Sequence, residues 1–192
     1  MEHQINDALE QDRIVVYYQP IYSVKEQRFT SAEALVRMID EQGNLVMPGE
    51  FIRIAEENGM IRKIEMRVFK KVCHFFIEQK LDQDGIEYIE VNLSAIQAAD
   101  ENLVRDYIRI MDEQHISPKH INLEITESAS VSASNVLLDN MNVLMGQGVR
   151  FSLDDFGTGQ SNLNYIVEMP VNIVKFDRDM TKAYFENGKA KY

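Results

Sequence analysis

Several things are scarce in this sequence, and each scarcity excludes a class of protein. A membrane-spanning helix needs about 20 consecutive apolar residues, and no run here comes close. The stretch Met1–Arg13 lacks the apolar core of a signal peptide. Cysteine occurs once, as Cys73, which excludes an intramolecular disulfide and fits a reducing compartment. The four histidines, His3, His74, His115 and His120, show no ligand spacing, so surface and packing roles are expected for all of them. Basic residues are outnumbered, 20 Lys and Arg against 31 Asp and Glu, for a net charge of −11. That deficit argues against sequence-independent binding to a DNA or RNA polymer, which runs on clustered Lys and Arg. It leaves room for a small phosphodiester held through metal ions. The chain reads as cytoplasmic, or as a cytoplasmic piece of something larger.

No low-complexity tract or linker interrupts the 192 residues, so a single domain over 1–192 is expected, with 1–13 as a lead-in helix. Ile14–Tyr22 and Arg28–Met38, joined by the polar turn Lys25-Glu26-Gln27, read as a β-hairpin. Helical spacing follows in Phe51–Glu57 and Ile61–Gln79. Strands at Ile86–Leu93, Ile121–Ile125, Val149–Leu153 and Val171–Phe176 then alternate with helices at Leu103–Gln114, Val136–Met145, Leu163–Val167 and Met180–Phe185. Such alternation predicts an α/β fold, a parallel sheet wrapped by helices. Six strands are expected, short of an eight-stranded barrel, which usually needs about 250 residues.

The most informative stretch is Phe151-Ser152-Leu153-Asp154-Asp155-Phe156-Gly157-Thr158-Gly159. Asp has low strand propensity, so two of them closing a strand ask for a reason. A plain turn is one reason; cations held at the mouth of a sheet are another. Gly157-Thr158-Gly159 also suggests a dinucleotide-binding turn, but the third glycine is missing and the two aspartates would repel a pyrophosphate.

Polar residues recur near the other strand ends: Glu33 with Arg37, Asn92, Glu124 and Lys175. In a parallel barrel these ends share one face, where chemistry is found. Two carboxylates about 5 Å apart repel by roughly 3 kcal/mol at an effective dielectric of 20, so such a cluster needs cations or protons. Oxygen donors without thiolate or imidazole favour Mg²⁺ or Mn²⁺ over zinc. Two such cations would suit attack of water on a phosphodiester. Lys175 would orient or deprotonate that water, or simply neutralise the carboxylates. Arg37 would grip a phosphate oxygen or pair with a neighbouring carboxylate. Glu127 fits support of the loop after Asp155 better than a ligand role.

Taken together, these residues make the chain resemble the EAL domain family of cyclic di-GMP phosphodiesterases. The resemblance runs from about Ile14 to Asp177 and rests on several motifs in order. They are Tyr18-Gln19-Pro20-Ile21, Glu33-Ala34-Leu35-Val36-Arg37, Val91-Asn92-Leu93-Ser94, Leu123-Glu124-Ile125-Thr126-Glu127-Ser128, the Asp154–Gly159 stretch and Lys175-Phe176-Asp177. It implies a TIM-like (β/α)₈ barrel with an antiparallel first strand, here incomplete. It further implies Glu33, Asn92, Glu124, Asp154 and Asp155 as metal ligands for Mg²⁺ or Mn²⁺. Catalytic roles would fall to Glu33, Asp155 and Lys175, substrate contacts to Gln19 and Arg37, and loop support to Glu127. The expected reaction opens cyclic di-GMP to linear pGpG.

Two departures set alternatives. Gly159-Gln160-Ser161-Asn162-Leu163 stands where the family has an aromatic residue and then serines, in a loop that couples dimerisation to metal binding. The family's catalytic Glu and substrate-side Gln on the last two strands would follow Tyr192. A binding module without turnover, or a fragment that self-associates as a dimer, therefore stand beside the phosphodiesterase.

Overall fold

Ile14–Ser23 (β1) is built largely from β-branched and aromatic residues that favour a pleated surface, and Arg28–Ile39 (β2) returns alongside it. They pair antiparallel, with Gln19 opposite Glu33 and Val15 opposite Arg37. A computed structural model describes residues 1–126, 135–157 and 169–187. Within them, five strands run parallel in the order β2, then Tyr88–Asn92 (β4), Ile121–Thr126 (β5), Arg150–Phe156 (β6) and Ile173–Phe176 (β7). A two-residue strand, Leu45–Val46 (β3), also pairs with β2. It raises the count among the described residues to seven, where the sequence suggested six. The sheet is open among the described residues, with β1 at one edge.

Among the described residues the α-helices are Glu2–Glu10 (α1), Pro48–Glu57 (α2), Ile61–Glu78 (α3), Ala95–Ala98 (α4), Leu103–Gln114 (α5), Asn135–Gly146 (α6) and Arg178–Asn187 (α7). Pro48 pre-sets the first turn of α2, and Glu50 reaches back to accept from the Met47 N–H at 3.0 Å. The helix expected at Leu163–Val167 lies outside the described residues.

Alternation sorts the sheet into two faces. Ile89, Val91, Ile121, Leu123, Ile125, Phe151 and Leu153 belong to the apolar core with Phe69, Val72 and Tyr107 of the helices. The intervening positions of the same strands carry Glu90, Asn122, Glu124 and Ser152, all buried. A polar face shielded from water is unusual. It exists here because the sheet curls around it.

Between Leu153 and Phe156 the pairing of β6 with β7 slips: Leu153 pairs with Val174 and Phe156 with Phe176. Asp154 and Asp155 therefore lie across from the single residue Lys175, a two-against-one bulge of the kind that re-aims side chains. Asp155 has φ +55° and Gly157 φ +101°. Asp tolerates that left-handed conformation better than most residues, and at Gly157 an added Cβ would also collide with Met180.

Candidate active site

Register brings the polar residues together. Glu33 of β2 is level with Glu90 of β4, Asn92 of β4 with Glu124 of β5, and Thr126 of β5 with Asp154 of β6. Lys175 of β7 closes the group. Its Nζ hydrogen-bonds Glu124 Oε1, and lies 3.4 Å from Glu33 Oε2, 3.2 Å from Glu90 Oε2 and 3.9 Å from Asp154 Oδ1. Asn92 Nδ2 is 3.5 Å from Glu33 Oε1, at the edge of hydrogen bonding. Glu33, Glu90 and Glu124 each offer an oxygen within 4.8 Å of the others.

One ammonium among four carboxylates leaves an excess of negative charge. The molecule responds in two ways. Burial pushes the Glu124 carboxyl up to about 8, against the pull of Lys175 and with the push of Glu90 and Asp154. Burial would lower Lys175, but hydrogen bonding and charge from Glu124, then Glu90 and Glu33, hold it above the ordinary lysine value. Burial and the charges of Asp154 and Asp177 raise Asp155. Glu124 is 1% exposed, and its Oε2 has no hydrogen-bond partner. A buried carboxylate oxygen left open, in an all-oxygen donor set, fits a hard divalent cation.

A cleft of about 540 Å³ opens beside the cluster, lined among others by Leu35, Arg37, Pro48, Ile52, Asn92 and Glu124. Such a volume, apolar with a few convergent polar groups, is that of a small-molecule site. Arg37 donates to the Val36 carbonyl at 2.8 Å and sits 5.8 Å from the Tyr17 ring centroid. It makes no ion pair among the described residues, so the guanidinium has donors to spare. Gln19 is exposed on β1 opposite Glu33. Glu127 and the 159–163 loop lie outside the described residues.

Two carboxylates escaped the sequence reading. Glu90 lies inside β4 two positions before Asn92, and a charged residue inside a strand so close to a polar strand end is itself a signal. Glu65 of α3 accepts from Ser94 N at 2.7 Å and Ser94 Oγ at 3.0 Å, and Ser94 Oγ in turn caps α4 at Gln97 N. It thereby fixes the chain just after Asn92. Burial pushes Glu65 up to about 7 from an ordinary 4.5. A raised folded pKa contributes stability that is full below the unfolded pKa and lost as pH rises toward the folded one. We therefore expect Glu65→Gln to gain on the parent between pH 5 and pH 8, by up to about 3 kcal/mol. Urea unfolding at both pH values measures it; a constant difference would show that Glu65 is ionised throughout.

Comparison with known proteins agrees with this architecture. The EAL domain family model matches residues 2–191. Signaling protein YkoW of Bacillus subtilis is 35% identical over 179 residues, which is 92% of this chain and 22% of that protein. The bifunctional diguanylate cyclase/cyclic di-GMP phosphodiesterase MucR of Pseudomonas aeruginosa is 35% identical over 92% of this chain and 26% of its own length. The chain thus spans about a quarter of the curated relatives it matches. Among solved structures, a c-di-GMP complex of the PaMucR phosphodiesterase superposes with TM-score 0.86 at 32% identity, over 98% of this chain and 76% of that one. The EAL enzyme Bd1971 with cAMP and cyclic di-GMP bound gives 0.87 at 28% identity, over 99% and 52%. With its match across almost every residue and the TIM-like neighbours behind it, this chain belongs to the EAL domain family.

Proposed function

We propose that this chain is a cyclic di-GMP phosphodiesterase domain that opens its substrate to linear pGpG. The observation that carries the reading is the convergence of Glu33, Glu124 and Asp154 from three strands on Lys175, beside a cleft bounded by Arg37. Glu33, Asn92, Glu124, Asp154 and Asp155 would hold Mg²⁺ or Mn²⁺. Bound there, such cations would acidify a water and offset charge on the phosphate oxygens. Lys175, held as an ammonium, orients that water and balances charge; its raised pKa makes it a poor base at neutral pH. Arg37 offers a fork of N–H donors to a phosphate, and Gln19 contacts the substrate from β1. Dimerisation and a cytoplasmic place of action belong to the same proposal.

A second reading is a cyclic di-GMP-binding module without turnover. What favours it is that the Lys175 ammonium already sits among the carboxylates a cation would need. The test is incubation with cyclic di-GMP and Mn²⁺, chromatography for pGpG, and calorimetry for binding. Product that disappears on chelation is the expected result. Binding without product would select the second reading, and neither would defeat both.

A further inference from the structure

We infer that Glu90 is a positioning residue whose buried carboxylate holds the Lys175 ammonium in place from below. The inference rests on the phosphodiesterase reading and deepens it. Glu90 sits in the middle of β4, 3% exposed, on the same face as Asn92. Its Oε2 is 3.2 Å from Lys175 Nζ. Its Oε1 accepts from Asn122 Nδ2 at 3.1 Å, and that same amide nitrogen reaches Ser152 Oγ at 2.6 Å. Three adjacent strands thus supply a polar layer one step beneath the rim.

That layer is costly, since a carboxylate inside a strand must be matched in charge and hydrogen bonding. Asn122 is fully buried and leaves its own Oδ1 without a partner. Its amide is turned with the donors toward Glu90 and Ser152, which fixes one oxygen of the Glu90 carboxylate. The other oxygen is left for Lys175.

The rim explains why such a partner is needed. Of the carboxylates in reach of Lys175, Glu33, Glu124 and Asp154 are those assigned to cations. Once they are engaged, an ammonium next to divalent charge is repelled. Glu90 then remains as its anionic contact. Deprived of it, the half-buried Lys175 side chain is free to swing toward solvent, taking its N–H groups away from the attacking water.

The test uses lysine-ammonium ¹H–¹⁵N spectra of the Mg²⁺-saturated chain, with Lys175→Met to assign the signal. A slowly exchanging Lys175 signal is expected in the parent, and its loss in Glu90→Gln, which keeps side-chain volume. Should Glu90→Gln not fold, Glu90→Ser takes its place. In turnover of cyclic di-GMP, Glu90→Gln should lower kcat by about 10- to 100-fold with KM within about twofold, and should add nothing in a Lys175→Met background. A merely structural role would lower both backgrounds alike. No protected Lys175 signal in the parent, the same signal in Glu90→Gln, or an additive loss would overturn the inference. A parent that makes no pGpG would instead count against the phosphodiesterase reading, and the ammonium spectrum would still decide the role of Glu90.

Discussion

Glu124→Gln is expected to lower cyclic di-GMP turnover by about a thousandfold while the chain still folds. The substitution keeps volume and the Oε1 acceptor of Lys175, and removes the negative charge that the open, buried Oε2 would bring to a bound cation. Losing a ligand charge from a metal site removes several kcal/mol of transition-state stabilisation, and about 4 kcal/mol corresponds to that factor. Stability should change little, because Lys175 keeps Glu33 and Glu90 as partners. Mn²⁺ should raise the melting temperature of the parent by linkage and raise that of the variant far less. Unimpaired turnover would remove Glu124 from the ligand set, and a variant that fails to fold would make it a structural carboxylate.

How much of this could be read in advance differs by element. Leu103–Gln114 shows in the sequence with the ends it has in the structure, because apolar residues at helical spacing define α5 and the left-handed His115 ends it. The antiparallel entry of β1 followed from two strand-like runs joined by the short polar turn Lys25-Glu26-Gln27. The strand β3 was illegible, since two residues carry no periodicity. It forms because Asp40 Oδ1 accepts from both Gln42 N and Asn44 N, folding the chain back onto β2.

The site was legible in part for a related reason. Glu124 and Asp154 stand out as carboxylates near strand ends, where a charge lacks a packing explanation; Glu33, expected at a strand end, sits in the middle of the longer β2 and meets them at Lys175. Glu90 and Asn122 lie inside strands, and a strand-interior charge taken alone reads as a solvent-facing position. Only the curl of the sheet turns that face inward. The bulge opposite Lys175 was likewise invisible, because pairing register depends on β7 and not on β6 alone. The same curl makes the cluster one unit. Each carboxylate changes the charge felt by the others, so substitutions there should be non-additive.

The largest loss of stability is expected from Phe69→Ala, at about 4 kcal/mol. Phe69 is fully buried on α3, and its ring stacks on Tyr107 of α5 with centroids 3.9 Å apart and planes 11° from parallel. Two helices packed on one sheet cannot close over the space left by a ring, so the cavity cost adds to the lost transfer energy. Water would not relieve it. The Tyr107 hydroxyl already lacks a hydrogen-bond partner, and a buried water needs two to four polar neighbours (about three on average). A loss of that size is a large share of the 5–15 kcal/mol typical of folded domains, and should lower Tm by about 10 °C. Phe69→Leu should cost roughly 1 kcal/mol. The consequence extends to the site, because Phe69 lies one helical turn beyond Glu65, whose carboxylate fixes Ser94 two residues past Asn92. Thermal melts of both variants check the prediction, and a Phe69→Ala loss below about 1 kcal/mol would mean that α3 and α5 close over the gap.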